Sequence, residues 1–276
     1  MLCQQTCFVL DANGQQLSPT TAEKARKLIA QGKAALASEE PLTIQLPYSV
    51  ELPPKPKEVE REKVGEGKRI LLHICCGPCS TYPIERLREE GFQVTGFWYN
   101  PNIHPWQEHQ RRRESAQKYA EAVGLPVIWH EQYEMPLYFR AVAGHEKFGE
   151  RCRICYRMRL GETARVAAEG GFDAFTTTLL ISPYQDQAMI RQIGEEVAEE
   201  WGAGVLEFYF ENFRRGWSER GRLTHEHDLY RQQYCGCIYS EWERYNEGHI
   251  DDLLGEVSNE ATRQRGNEAM GQQVPC

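Results

Sequence analysis

The sequence lacks any long apolar segment. None of its 276 residues lies in a run that approaches the ~18–20 uncharged apolar residues of a membrane-spanning helix. The stretch MLCQQTCFVLDANG has neither the basic start nor the apolar run of a secretory signal. We therefore expect a cytoplasmic protein with no membrane partner.

The chain also lacks an excess of positive charge. Its 32 Lys and Arg residues are outnumbered by 40 Asp and Glu residues, which gives a net charge of −8. Proteins that bind nucleic acid through phosphate contacts are more often basic, so the composition argues against a general DNA or RNA binder but does not exclude a local basic patch. Apolar residues make up 41% of the chain, enough for a sizeable core.

Cysteine, in contrast, is abundant, with ten residues. In a reducing compartment, clustered thiols are more often metal ligands or redox catalysts than structural disulfides. Seven of the ten fall into three groups: Cys75, Cys76 and Cys79; Cys152 and Cys155; Cys235 and Cys237. The remaining three, Cys3, Cys7 and Cys276, lie near the two ends. We expect them to be bystanders, although Cys3 and Cys7 could equally pair or bind a metal.

Residue patterning divides the chain into parts. Residues 1–51 combine short strand patterns with one helix capped by Thr21, which indicates a small α+β module. Residues 52–68 are rich in proline, glycine and charge and predict a linker. Residues 69–250 alternate strands and helices, which predicts a three-layer α/β/α domain with a parallel sheet. The polar tail 251–276 is expected to be poorly ordered.

The larger part contains five predicted strands and four predicted helices. The strands are 69–76, 92–100, 126–133, 172–180 and 204–213. The helices are 83–90, 104–124, 152–170 and 185–202.

The first cysteine group, HICCGPCS, follows a predicted buried strand. Turns at the carboxyl ends of parallel strands form the ligand crevice of open α/β sheets, so this position favours a functional role. The positive end of the next helix would lower the cysteine pKa values and favour thiolates. The alternative is that these thiols are merely buried, as free cysteines often are.

The second and third groups also have alternatives. RCRICYRMR places a Cys-x-x-Cys pair at a helix start, a spacing shared by metal sites and redox dithiols, with structural zinc as the alternative. Cys235-Gly236-Cys237 is too tight for a usual zinc knuckle. It could form a strained disulfide, with Gly236 permitting the unusual backbone. Otherwise both thiols are further metal ligands or simply buried.

Signals for nucleic-acid binding are weaker. Basic residues interleaved with aromatics suit phosphate contact and base stacking, and this chain has such a region in ENFRRGWSERGRL and the following YRQQY. The run Arg111–Arg113 lies on one predicted helix, where a solvated charged face explains it at least as well. Polar side chains in YNPNIHP and TTTLLISPY follow strands and could line the same crevice as the thiols.

Six motifs occur in one order over residues 69–245: HICCGPCS, FWYNPNI, RCRICYRMRL, FTTTLLISPY, NFRRG and YRQQYCGC. This set resembles the cobalamin-independent epoxyqueuosine reductases, the QueH family. The resemblance implies removal of the epoxide oxygen from epoxyqueuosine at the tRNA wobble position, which yields queuosine, with electrons from an external donor. It also implies a fold similar to the adenine nucleotide alpha hydrolases.

The resemblance further implies a set of site residues. It implies a [4Fe–4S] cluster on Cys75, Cys76, Cys152 and Cys155 and a redox-active disulfide between Cys235 and Cys237. An additional iron ion would have Cys79 as its candidate ligand, although some family members carry Asp there. Family members usually have Cys-Cys-Ala-Pro where this chain has Gly77. The residue pattern itself, rather than the resemblance, gives the candidate contacts with tRNA, which are Tyr99, Asn100, Asn102, Arg214, Arg222, Tyr230 and Arg231.

The amino-terminal part resembles the RRXRR-type module at the start of some HNH-nuclease-like proteins, with a degenerate arginine motif at Lys24-Ala25-Arg26-Lys27. Its expected role is RNA contact or packing against the reductase domain.

Two alternative functions for the chain are a metal- or zinc-dependent tRNA thiolation or sulfur-transfer enzyme and a redox-sensing RNA-binding protein. Thiolation enzymes normally need an ATP phosphate loop after the first strand, where this chain has thiols instead.

Overall fold

A computed structural model describes residues 6–14, 16–39, 42–49, 63–202, 204–246 and 248–254. The chain forms two compact units, Met1–Arg61 and Glu62–Cys276. Most of the predicted linker and the polar tail after residue 254 lie outside the described residues, as do Cys3 and Cys276. Across the described ranges, no helix combines the length and the apolar character that membrane crossing needs.

The first unit contains a four-stranded sheet with the order β2-β1-β4-β3 and one helix. Its elements are β1 (Thr6–Leu10), β2 (Gln16–Thr21), α1 (Ala22–Ala30), β3 (Ala35–Glu39) and β4 (Leu42–Gln45). Helix α1 begins where predicted, because the Thr21 hydroxyl accepts a hydrogen bond from the Lys24 N–H at 3.3 Å. Cys7 is a buried free thiol in the small core of this unit, beside Ala25 and Ile44.

The second unit contains a five-stranded sheet and seven α-helices among its described residues. Its strands are β5 (Arg69–His73), β6 (Gln93–Trp98), β7 (Val127–Trp129), β8 (Ala174–Thr177) and β9 (Glu207–Phe208). Its helices are α2 (Gly77–Glu89), α3 (Trp106–Ala122), α4 (Met135–Val142), α5 (Glu150–Glu169), α6 (Gln187–Gly202), α7 (Trp217–Glu226) and α8 (Ile238–Tyr245).

The sheet of the second unit is parallel throughout, with the order β7-β6-β5-β8-β9. Ile70 of β5 lies opposite Val94 of β6 on one side and Ala174 of β8 on the other. Helix α2 packs against α3 and α7, whereas α5 packs against α6 and against β5 and β8. Right-handed crossovers put the helices that lead to β6 and β7 on the face opposite those that lead to β8 and β9. The predicted three-layer α/β/α domain is therefore confirmed.

The strand order creates one topological switch point. The chain leaves central β5 for β6 and β7 on one side, then returns to build β8 and β9 on the other. The chain therefore leaves the ends of β5 and β8 toward opposite faces of the sheet, and ligands bind at such a carboxyl edge in open α/β folds.

Several predicted boundaries were wrong. Helix α2 begins at Gly77 rather than at Pro83, because Cys76 caps it and Pro78 fits its first turn. The segment predicted as strand 172–180 ends as a strand at Thr177 and continues as a 3-10 turn, Thr178–Ile181. Strand β9 has two residues instead of ten. Helices α4, α7 and α8 were not predicted; they have only 8, 10 and 8 residues, so few positions carry a helical pattern.

The core around β5 generates a stability prediction. Leu72 is fully buried in the main core, so Leu72→Ala should lower the free energy of unfolding by about 2–5 kcal/mol. All six tryptophans lie between Trp98 and Trp242, so urea denaturation followed by tryptophan fluorescence reports on the larger unit. Val205 is 84% exposed, and Val205→Ala should change that free energy by less than about 0.5 kcal/mol. Equal losses in the two variants would contradict this placement of the core.

Candidate active site

The turn after β5 is fixed against the turn after β8. The Thr178 hydroxyl accepts a hydrogen bond from the Cys75 N–H at 3.1 Å and donates one to the Cys75 Sγ at 3.2 Å. One residue earlier in β8, Thr177 Oγ1 lies 2.9 Å from His73 Nδ1. The paired ends of β5 and β8 therefore set the position of Cys75 through both its main chain and its side chain.

The first thiol group lies at this edge of the sheet. The sulfur atoms of Cys75, Cys76 and Cys79 are within 4.8 Å of one another, and all three residues are buried. Cys76 is the N-cap of α2, and its Sγ accepts a hydrogen bond from the Cys79 N–H at 3.4 Å. Three converging thiols form a donor set that could hold a metal ion, because thiolates are strong ligands for zinc and iron.

The thiols of this group affect one another's protonation. Hydrogen bonds from Cys76 and Cys79 hold the pKa of Cys75 well below its usual value. Burial, together with the hydrogen bond to Cys75, raises the pKa of Cys76 well above its usual value. The hydrogen bond to Cys75 also raises the pKa of Cys79, to about 11. The expectation of a lowered pKa was therefore right in direction for Cys75 and wrong for Cys76 and Cys79, because burial and the hydrogen bonds to Cys75 favour their protonated forms.

The second and third thiol groups line one small cavity. Its wall is formed by Asn102, Tyr138, Arg151, Cys152, Cys155, Tyr156, Arg159, Gln185, Cys235 and Cys237. Three of its buried polar atoms, Asn102 Oδ1, Tyr138 Oη and Arg151 Nε, have no hydrogen-bond partner among the described residues. Unpaired buried polar atoms are costly, and the cavity volume of about 20 Å³ leaves room for a group the size of one water molecule beside them.

Arg159 connects this cavity to the end of β5. Its guanidinium donates to the Cys155 Sγ at 3.8 Å and to Asn100 Oδ1 at 2.9 Å, and its Nε lies 3.3 Å from His73 Nε2. Burial, followed by the Arg159 charge, lowers the pKa of His73 to about 3, so His73 is neutral at pH 7. Sequence reasoning did not single out either residue, although both lie inside the quoted motifs HICCGPCS and RCRICYRMRL.

Cys235 and Cys237 are free thiols whose sulfur atoms lie 3.9 Å apart. Cys237 is buried and caps α8, where its Sγ accepts a hydrogen bond from the Ser240 N–H at 3.4 Å. The Cys237 thiol and, secondarily, the Ser240 hydroxyl lower the pKa of Cys235 to about 7. The pKa of Cys237 is raised well above its usual value by the hydrogen bond to Cys235 and by burial. The two thiols are therefore unequal, and exposed Cys235 is the more reactive one.

Three of the predicted tRNA contacts are held by hydrogen bonds to neighbouring groups, and a fourth is buried. Tyr99 Oη donates to Glu134 at 2.8 Å, and Tyr230 Oη donates to Glu108 at 2.6 Å. Asn100 is buried, and its Nδ2 donates to the Ile74 carbonyl at 2.8 Å. Asn102 is buried in the wall of the thiol cavity.

The predicted arginine contacts differ in exposure. Arg214 donates to the carbonyls of Ser182 and Gln185, so it fastens the loop after the 3-10 turn. Arg222 is exposed and pairs with Glu219 and Glu226 on its own helix. Arg231 is exposed in the segment that leads to Cys235. Of these three, Arg231 alone is both at the surface and close in sequence to the thiol pair.

The inequality of the thiol pair generates a labelling prediction. In reduced, metal-free protein kept free of oxygen, iodoacetamide should label Cys235 before Cys237, Cys76 or Cys79. The rate for Cys235 should fall as the pH drops below about 7, because only the thiolate reacts and protonation removes it. Peptide mass spectrometry at timed quenches measures the order. Cys235→Ser should remove the fast phase, and faster labelling of Cys237 would contradict this geometry.

Comparison with known proteins identifies the families that this chain resembles. Residues 70–243 match the family model described as epoxyqueuosine reductase QueH, and residues 7–70 match the model described as RRXRR protein. A protein named epoxyqueuosine reductase QueH from Dehalococcoides mccartyi is 42% identical over 179 residues, which are 65% of this chain and 96% of that protein. Its namesake from Thermotoga maritima is 38% identical over 189 residues, covering 66% of this chain and 94% of that protein.

A solved structure of the U34-tRNA thiolase NcsA from Methanococcus maripaludis with its [4Fe-4S] cluster is 15% identical, with a TM-score of 0.46 over 78% of this chain and 76% of that one. The range that matches the epoxyqueuosine reductase family model includes all seven grouped cysteines. The chain belongs to the epoxyqueuosine reductase QueH family.

Proposed function

We propose that this chain reduces epoxyqueuosine to queuosine at the wobble position of tRNA. The observation that carries the proposal is the placement of the family's cysteines. The sulfur atoms of Cys75, Cys76 and Cys79 converge at the carboxyl end of β5. The other two cysteine groups line one cavity, and Arg159 in its wall contacts both Cys155 and His73 of β5. Such an arrangement combines a metal-binding thiol set with a thiol pair suited to electron transfer.

The first part of the proposal is a [4Fe–4S] cluster on Cys75, Cys76, Cys152 and Cys155. Cysteine thiolates are the usual ligands of such clusters, and a cluster separates its ligands more widely than one ion does. When bound, the cluster would transfer electrons one at a time. Cys79 then remains as a candidate ligand for an additional iron, with its Sγ near Gln232 Nε2 at 3.3 Å.

The second part assigns the Cys235 and Cys237 thiols to the reduction itself. Loss of an epoxide oxygen as water, with formation of a carbon–carbon double bond, needs two electrons and two protons. Oxidation of two thiols to one disulfide releases both. The overall step is therefore epoxyqueuosine plus dithiol giving queuosine, disulfide and water. A further thiol or electron-transfer partner would reduce the disulfide for the next turnover.

The remaining assignments concern tRNA and the domains. We assign Tyr99, Asn100, Asn102 and Tyr230 to the lining of the substrate site and Arg214, Arg222 and Arg231 to the surface around it. Exposed Arg231 is the best placed of these to meet a phosphate.

Residues 69–250 would carry the reaction, after a linker at 52–68. The amino-terminal residues 1–51 would contribute RNA contact through Lys24, Arg26 and Lys27.

Complementation tests the activity. In a bacterial host whose own epoxyqueuosine reductases have been deleted, expression of this chain should restore queuosine in tRNA, as measured by nucleoside mass spectrometry. Continued accumulation of epoxyqueuosine with well-expressed protein would contradict the proposal. A change in thiolated nucleosides instead would favour a sulfur-transfer enzyme, and no change in any nucleoside would favour a redox-sensing RNA-binding protein.

Replacement of cysteines separates the two thiol functions. Cys235→Ser should lower the multiple-turnover rate at least about 100-fold, because removal of a reacting group costs at least that much, while leaving iron content unchanged. Cys75→Ser and Cys155→Ser should instead lose iron, since each removes a ligand. Cys276→Ser is the matched control, because it lies outside the range that matches the family model. Iron and sulfide assays on protein purified without oxygen measure the content, and full turnover by Cys235→Ser would refute the role of the pair.

A further inference from the structure

The turn that carries the Cys235 and Cys237 thiols has no strand or helix to hold it. It lies between the end of α7 at Glu226 and the start of α8 at Ile238, in a segment without regular secondary structure. Its main-chain carbonyls therefore need other hydrogen-bond donors. Arg112 of α3 supplies two of them, because its Nη1 donates to the Cys235 carbonyl and its Nη2 to the Tyr234 carbonyl, each at 3.0 Å.

Arg112 is itself held in place. Its side chain is 1% exposed, and its Nε donates to Glu108 Oε1 at 2.7 Å, one helical turn earlier on α3. The other oxygen of Glu108 accepts a hydrogen bond from Tyr230 Oη at 2.6 Å. The Arg112 guanidinium also lies 5.2 Å from the centre of the Tyr234 ring. A buried, paired guanidinium with three directed bonds is rigid enough to fix the segment that it contacts.

The glycine between the two cysteines closes against the same guanidinium. Gly236 has a φ of +132°, which disfavours other residues. A Cβ there would lie 3.1 Å from Arg112 Nη1 and 3.0 Å from Ile103 Cγ1. On the other side, the Gly236 carbonyl accepts a hydrogen bond from the His104 N–H at 2.8 Å. The turn is thus fastened by hydrogen bonds to main-chain carbonyls before and at the glycine.

We propose that Arg112 is a positioning residue that sets the thiol–disulfide equilibrium of Cys235 and Cys237. The inference rests on the redox role proposed above for this pair. Arg112 contacts the main chain of the turn, and the two sulfur atoms, 3.9 Å apart, remain able to approach the ~2.05 Å of a disulfide. Holding the turn raises the effective concentration of one thiol at the other, which favours closure.

A second way for Arg112 to change the Cys235–Cys237 equilibrium is through its positive charge rather than its hydrogen bonds. This charge also acts on the Cys76 thiol. Charge and positioning make separable predictions. Lysine keeps the charge but cannot donate two parallel hydrogen bonds to neighbouring carbonyls. Arg112→Lys should therefore behave like Arg112→Gln if positioning matters, and like the wild type if only charge matters.

The test measures the equilibrium on the full iron-loaded chain without oxygen. The protein is equilibrated in buffers of reduced and oxidised glutathione, quenched in acid and alkylated. Mass spectrometry of the peptide with both cysteines then gives the fractions of dithiol and disulfide. The reaction is two protein thiols plus oxidised glutathione giving the protein disulfide and two reduced glutathiones. The equilibrium constant should fall about tenfold in Arg112→Lys and in Arg112→Gln, the effect of losing a hydrogen bond from a charged donor.

Arg113→Gln is the matched control. Arg113 is the next residue on α3, and it covers the Trp129 ring and pairs with exposed Glu131 without contacting the turn. Its equilibrium constant should stay within about twofold of the wild type. Tryptophan fluorescence checks that each variant folds. If the Arg112 variants do not fold, Tyr230→Phe, which removes one bond to Glu108, should shift the constant in the same direction.

The measured equilibrium constants distinguish a positioning role of Arg112 from a charge effect. A lowered constant in both Arg112 variants supports positioning. A change in Arg112→Gln but not in Arg112→Lys replaces positioning with a charge effect, and unchanged constants in both overturn the inference. A wild-type chain that forms no Cys235–Cys237 disulfide in any buffer removes the redox role of the pair, and the positioning inference fails with it.

Discussion

Strand β5 pairs with β8 from Ile70 to His73, and this pairing positions the rest of the site. It sets the turn that carries Cys75 beside the turn that carries Thr178, whose hydroxyl then binds both the N–H and the sulfur of Cys75. The same edge starts α2, whose cap is Cys76. A change of register between these two strands would separate all of these contacts at once, because successive side chains in a strand point to opposite faces.

Two buried arginines extend this arrangement to the other thiols. Arg159 reaches from α5 to Cys155, His73 and Asn100, and Arg112 reaches from α3 to the turn of Cys235. A buried guanidinium is expensive unless its donors are satisfied, and each of these donates to at least two fixed partners. The helices on the two faces of the sheet therefore hold the thiol groups through charged, directional bonds, which tolerate substitution less well than apolar packing does.

The cysteines divide into roles because their surroundings differ. Cys75, Cys76 and Cys79 are buried together and affect one another's pKa, which suits metal ligation. Cys235 is exposed and has a lowered pKa beside a partner whose pKa is raised, so Cys235 is both the thiol that ionises more readily for attack and the better leaving group when a disulfide is broken. The proposed reduction of a tRNA nucleoside would use both kinds of site.

The sequence by itself determined the layer architecture and the cysteine groups. Short apolar runs alternating with helical patterns predicted the parallel sheet, because buried strands and amphipathic helices leave these periods in any chain. Short-range spacing likewise placed HICCGPCS after β5. Only the tertiary structure decided the start of α2, the short β9 and the roles of His73, Arg112 and Arg159. Those features depend on contacts between residues far apart in sequence, such as Arg112 with Cys235. Local sequence patterns do not predict such contacts.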